Sequence, residues 1–505
     1  MASQSDDDVF EKLKRKTDEK ELAQQRAESE ARVRSVQAKS GQRNAELIGS
    51  NSTLPVTISS IEVLQAQHTR RGFLERIFNP ILHKNRDGST LNDALVDMGS
   101  AYRTLQKFDI FQEPIAMYYD KPDKTDPSTS ATDLAVYFYA KEKSRYTINT
   151  GTEAGHDEGS AFLNVILRNL FGGAESFNAH ASIGTRTRSS YSANFETPIL
   201  SNPDLKWEVG GLASSTIKSF ASHEELLKGG STKLKYLTPG GHRHEFGYSG
   251  YWRQLTGLAE GASPSVRQDA GDSFKSSIHH TWINERRDNP LMPSKGYLIK
   301  TVAEIAGLGA LKGDVAFTKL EAETAAAIPL PAGISFTAGL RGGVLYPLTL
   351  AGQQSPSQSR LNDRFQLGGP TDVRGFRLGG LGPRDGTDSI GGDVYAAGGA
   401  SLLFPIPKLG PESPIRLQAF INGGRLLGLQ SPKSDEPLDS QAVSKCVKST
   451  IAELQNGIPS CAAGLGLVYA HPVARFELNF SLPLYIRKGE EGRKGLQFGV
   501  GVSFL

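Results

Sequence analysis

Histidine and cysteine are the residue types whose spacing first suggests chemistry in this 505-residue chain. His242-x-His244 and His279-His280 have the local density of a metal site, but no Cys or acid completes a ligand set beside them. On an alternating strand the H-x-H spacing marks one polar face, so no metal is expected. Cys446 and Cys461 are too few for a disulfide framework, and free thiols are expected if the loop they occupy faces the cytosol. No Ser/His/Asp or paired-carboxylate constellation stands out. None of the glycine clusters has the strand and helix around it that a phosphate-binding or dinucleotide motif requires. The chain is therefore not read as an enzyme, and no cofactor is expected.

From about residue 145 onward the elements read as strands. In Arg475–Leu482 the apolar Phe476, Leu478, Phe480 and Leu482 alternate with Arg475, Glu477, Asn479 and Ser481. Ile334–Arg341 and Leu496–Phe504 alternate in the same way. Short, proline-marked connections (Pro329–Gly333, Pro405–Pro414, His471–Pro472) interleave with long polar ones (Tyr346–Ile390, Gly423–Ser460). Short turns at one end and long loops at the other are the pattern of an up-and-down membrane barrel. About fifteen strand candidates follow residue 145, and barrels of this kind close with an even number, so a sixteenth strand is expected between 200 and 255. No stretch approaches the ~18 apolar residues of a membrane helix. The formal net charge of +3 gives no electrostatic case for nucleic acid as a partner.

The expected fold is thus mainly β: a 16-stranded transmembrane antiparallel β-barrel over 145–505. A small α+β domain precedes it over 50–143, reading β-α-α-β-β. Its elements are Val56–Leu64, Arg71–Leu82, Leu91–Lys107, Pro114–Tyr119 and Asp133–Tyr139. Residues 1–46 carry acids and bases in equal number and no apolar core of a secretory signal; they read as a solvated helix or tail.

These features together resemble the outer-membrane β-barrel assembly proteins of the BamA type. The residues that carry the resemblance are Val373, Arg374, Gly375 and Phe376 in the long loop, then Gly391-Gly392 and Ser401-Leu-Leu-Phe404. After these come Phe420-Ile-Asn422-Gly-Gly424 and, earlier in the chain, Asp288-Asn-Pro-Leu-Met-Pro293-Ser-Lys-Gly296. The same tripeptide at Arg71–Phe73 lacks this context and reads as a packed Phe beside an exposed Arg. The resemblance implies a POTRA domain over 50–143 and a loop, at about 346–390, that folds inward and whose arginine is held in the lumen by acids on neighbouring strands. This chain departs from it, with Leu403 and Asn422 standing where the family has acids. Period two along Ile415–Asn422 points Phe420 and Asn422 inward, and Gly424 belongs to the same motif. Arg374 is then expected to bond either the Asn422 amide oxygen or another inward acid such as Glu477.

A single POTRA and the lack of a secretory signal favour the mitochondrial branch of the family, the barrel subunit of the sorting and assembly machinery. That membership implies the mitochondrial outer membrane, with the POTRA domain in the intermembrane space. The implied partners are β-barrel precursor proteins, peripheral subunits on the cytosolic face, and membrane lipid. The implied mechanism is a lateral gate between the first strand, Arg145–Gly151 (Tyr146, Ile148, Asn149, Thr150), and the last, Leu496–Phe504. The last strand also fits the family's client signal, as Gln497, Gly499, Val502 and Phe504. Two other readings share the pattern: a POTRA-barrel translocation channel of the two-partner-secretion or chloroplast-import type, and a soluble two-sheet binding protein.

Overall fold

A computed structural model describes residues 19–84, 89–122, 129–155, 158–309, 311–349, 359–407, 410, 413–429, 440–472 and 474–501. The chain divides into two compact units, residues 1–67 with 71–142, and residues 68–70 with 143–505.

In the first unit a charged helix α1 (Glu19–Ser50) is followed by β1 (Thr57–Leu64), α2 (Arg71–Lys84), α3 (Leu91–Lys107), β2 (Ala116–Asp120) and β3 (Asp133–Tyr139). After α1 this is the β-α-α-β-β order read from the sequence. The sheet runs β1-β3-β2, with β3 parallel to β1 and antiparallel to β2. Ala94, Met98, Ala101 and Leu105 recur at helical spacing and form the buried stripe of α3. Phe73 meets Phe108 edge-on at 4.9 Å, and Phe78 lies 5.3 Å from Phe138. Thr90 and Asp93 close a reciprocal capping box at the start of α3. Phe73 is buried while Arg71 is exposed and pairs with Glu75 one turn on, as its helical setting implies.

The second unit begins with β4 (Tyr146–Gly155), β5 (Glu158–Arg168), β6 (Ser176–Gly184), β7 (Thr187–Pro198), β8 (Leu205–Lys218) and β9 (His223–Leu237). It continues with β10 (Arg243–Thr256), the short α4 (Pro264–Gln268), β11 (Gly271–Glu285), β12 (Gly296–Ala306), β13 (Phe317–Pro329) and β14 (Ser335–Pro347). A small hairpin, β15 (Arg384–Asp385) with β16 (Asp388–Ser389), sits in the longest connection. Then come β17 (Val394–Pro405), β18 (Ile415–Leu427), α5 (Ser440–Asn456), β19 (Ser460–Ala470), β20 (Arg475–Tyr485) and β21 (Gly495–Gly501). Apart from the hairpin these strands form one 16-stranded antiparallel sheet, each paired with its neighbours in chain order, β14 pairing with β17. Three strands, β8 to β10, occupy the region where the sequence reading was one short.

The faces identify the solvent. On β20, Leu478, Phe480 and Leu482 are exposed, whereas Arg475, Glu477, Asn479 and Ser481 are buried. On β18, Leu417 and Ile421 are exposed, and Gln418, Phe420 and Asn422 are buried. Apolar outside and polar inside is the reverse of a soluble sandwich and is the arrangement of a transmembrane barrel. The long connections, 348–393 and 428–459, leave the same end of the sheet, and the short ones, 330–334 and 471–474, leave the other. One reading is corrected here. Gly423–Ser460 is not simply a polar loop: β18 continues to Leu427, and α5 fills much of the remainder. Val443, Val447, Thr450 and Leu454 recur at helical spacing and were the signal for it.

Candidate functional site: the inward loop and the seam

Arg374 is 1% exposed, and its guanidinium meets the Glu477 carboxylate with two bonds, Nε to Oε2 at 2.8 Å and Nη2 to Oε1 at 3.2 Å. Its charged carbon also stands 5.0 Å from the centre of the Phe420 ring. Glu477 serves a second cation, Arg475, at 2.5 Å and accepts from Asn479 Nδ2 at 2.7 Å. Arg475 donates onward to Gln418 Oε1 and to the Leu291 carbonyl, each at 3.2 Å. The second of these lies in the Asp288–Gly296 turn, which Asp288 holds by accepting from the main-chain N–H groups of Ser294 and Lys295. Of the two partners left open by the sequence, Glu477 takes the guanidinium. Asn422 takes the main chain instead: in the orientation its surroundings require, the amide donates to the Arg374 carbonyl at 3.1 Å and accepts the Arg374 N–H at 2.8 Å. Leu403 is buried opposite Gln418 and supplies no acceptor.

A second amide repeats the clamp one residue on. Gln497 of β21 accepts the Gly375 N–H at 2.8 Å and donates to the Phe376 carbonyl at 3.2 Å. Gly375 itself has φ +84°, and a Cβ there would lie 2.5 Å from that of Ala462. Only glycine lets the loop lie this close to the wall. Val373 and Phe376 are fully buried in an apolar cluster with Leu367, Leu381, Leu426 and Ala462, and a Cβ on Gly424 would strike Leu367 and Val373. The Gly375 carbonyl accepts from the Arg493 N–H at 2.8 Å, so the β20–β21 turn also holds the loop.

The other end of the loop reaches β10 and the connection after it. Asp363 takes both Arg253 nitrogens, at 2.5 and 3.3 Å. Asp388 accepts from Ser222 Oγ at 2.6 Å and the Ser263 N–H at 2.7 Å, and Asp385 accepts from the Ser265 N–H and hydroxyl. The loop therefore crosses the lumen, tied to β18, β20 and β21 on one side and to the β10–β11 region on the other. Neither Arg253–Asp363 nor the Gln497 clamp was singled out from sequence. The inward parity of Gln497 was visible, but a main-chain partner more than a hundred residues away was not.

At the seam, β4 and β21 bring Cα atoms within 8 Å of each other, yet among the described residues each has a single ladder, to β5 and to β20. Tyr146 and Ile148 are exposed on the outer face of β4, Asn149 takes the inward position, and Thr150 Oγ1 donates to the Phe162 carbonyl. Gly499 faces inward in β21; Val502 and Phe504 lie outside the described residues. The histidines stay apart from this site, His244 pairing with His280 at 3.2 Å on the β10–β11 ladder. Cys446 in α5 and Cys461 in β19 are free thiols.

The family model of the Omp85 superfamily domain matches residues 169–504. A SAM50-like protein of Schizosaccharomyces pombe is 39% identical, over 91% of this chain and 93% of its own. The sorting and assembly machinery component 50 homolog of Bos taurus is 33% identical over 74% of this chain and 76% of its own. The chain belongs to this Omp85 family of sorting and assembly machinery 50 proteins. Among solved structures, BamA from Haemophilus ducreyi lacking POTRA domains 1–3 superposes with a TM-score of 0.67 at 15% identity, covering 88% of this chain and 84% of that one. That likeness is one of fold.

Proposed function

We propose that this chain is the barrel component of a machine that folds β-barrel precursors and inserts them into the mitochondrial outer membrane, and that it does so at the β4–β21 seam. The observation that carries the mechanism is that β4 and β21 are neighbours with one ladder each among the described residues. Unpaired strand edges in lipid cost several kcal/mol per group, so a precursor strand must always have a partner. A seam that opens supplies one, as β-augmentation within the membrane. The Gln497 clamp adds a reason for order: when β21 yields, Gly375 and Phe376 lose their amide partner. The loop then gains a vacancy that a polar residue on the incoming strand can fill.

In this reading the N-terminal unit lies in the intermembrane space, the long connections face the cytosol, and peripheral subunits dock there. The lumen crossed by the anchored loop favours lateral insertion over export through the barrel. A cysteine at Asn149 tests it: during import it should crosslink to a cysteine in the terminal strand of a precursor. Precursor recovered beyond the membrane, or crosslinks to lumenal positions of β9–β11 instead of to β4, would reverse the reading.

A further inference from the structure

Helix α5 does not cap the barrel mouth; it lies against the membrane-facing wall. Period two puts Val394 and Leu427 on the outer face, in register with each other, yet both are buried. The helix approaches β14, β17 and β18, the strands that carry this face. One ladder row toward the membrane, Gly342, Ala396 and Arg425 stand side by side, and the next row holds Leu340, Gly398 and Gly423. The glycines and the alanine of these rows leave a groove of about 550 Å³ between the wall and the end of α5, with Leu340 and Arg425 in its lining.

Arg425 closes the upper end of this groove. It sits on the outer face but is only 6% exposed, because its guanidinium caps the C-terminus of α5. Nη1 donates to the Glu453 carbonyl and Nη2 to Glu453 Oε1 at 3.0 Å. Gly457 packs directly on the guanidinium, which a Cβ there would displace. Arg425 lines the groove, and its Nε is buried without a partner among the described residues. The Glu453 side chain remains 46% exposed beside it.

We infer that this groove is a binding site for one zwitterionic glycerophospholipid of the cytosolic leaflet. Its acyl chain lies along the Gly342–Ala396 and Gly398–Gly423 rows, its phosphate accepts from Arg425 Nε, and its ammonium group faces Glu453. The groove opens on the hydrocarbon, so its occupant is a lipid chain. The Arg425–Glu453 pair presents both signs within one headgroup's reach, which suits phosphate and ammonium together and opposes a purely anionic headgroup.

The test uses the full-length protein, delipidated in detergent and then exposed to equal amounts of phosphatidylcholine, phosphatidylethanolamine and phosphatidylglycerol, with bound lipid counted by native mass spectrometry. The wild type should retain one choline or ethanolamine lipid per chain. Gly342→Leu fills the groove while its Cβ meets only the Tyr395 carbonyl, at 3.4 Å. It should lower that occupancy at least tenfold, with folding verified by heat-modifiable gel mobility. Should it misfold, Glu453→Gln decides alone: it should shift retention toward phosphatidylglycerol. Equal retention of the three lipids by the wild type, unchanged occupancy in a folded Gly342→Leu, or an unchanged headgroup preference in Glu453→Gln would each overturn the site.

Discussion

At the scale of single residues, one carboxylate, Glu477, balances two buried guanidinium groups, and two amides hold the main chain of the loop. Removing Arg374 leaves Glu477 to Arg475 alone and takes away two buried charge-assisted hydrogen bonds, at a cost of about 1.5–3 kcal/mol each. Arg374→Ala is therefore expected to reduce the folded, heat-modifiable form of the protein strongly. Arg71→Ala, which removes an exposed ion pair with Glu75, should leave it near wild type. Equal steady-state levels of the two variants would remove the ion pair from the account. Gly375→Ala should also loosen the loop, by about 1–3 kcal/mol of backbone strain together with the clash against Ala462. Adding Ala462→Gly should recover only the clash, an intermediate result that limited proteolysis of the loop would register.

Among the elements, those with strong periodicity were legible from sequence. Leu91–Lys107 and Asp133–Tyr139 stand where the pattern put them, and the inward face of β18 followed from simple alternation. The helix α5 was hidden because its apolar positions lie inside a stretch whose average composition is polar. Asn422 and Glu477 were both legible as partners of Arg374, but which of them takes the guanidinium was not, because an acceptor on a distant strand has no local signature. Local capping, by contrast, is readable and testable. Hydrogen bonds from the Thr90 hydroxyl and then its N–H hold the Asp93 carboxyl below its ordinary value of 3.8. Thr90→Ala should speed amide exchange in the first turn of α3 roughly fivefold, the order of an N-cap loss. A lowered folded value means that the support is complete above 3.8 and fades as the pH falls through the folded value. The exchange difference between variant and wild type should narrow in that acid range to what the Thr90 hydroxyl contributes by accepting the Asp93 N–H, and a constant difference would remove the Asp93 half of the box.

For the whole molecule the decisive property is that the barrel's first and last strands meet while its loop is held by the last two. If the seam is the route of insertion, a disulfide between cysteines at Asn149 and Gly499, both inward-facing, should arrest precursor assembly when oxidised and release it on reduction. Undiminished insertion with the seam locked would end the lateral-gate account. The anchoring of the loop also has a consequence for biosynthesis. Glu477 and Gln497 follow Arg374 and Gly375 by 103 and 122 residues. A ribosome that has released the loop still has to make the carboxylate and the amide that fasten its Arg374–Phe376 segment. A nascent chain stopped before β20 carries a buried-type arginine with no carboxylate to receive it, so the barrel cannot mature strand by strand as it is translated. Its own delivery must be of finished polypeptide, kept unfolded until the final strand is available.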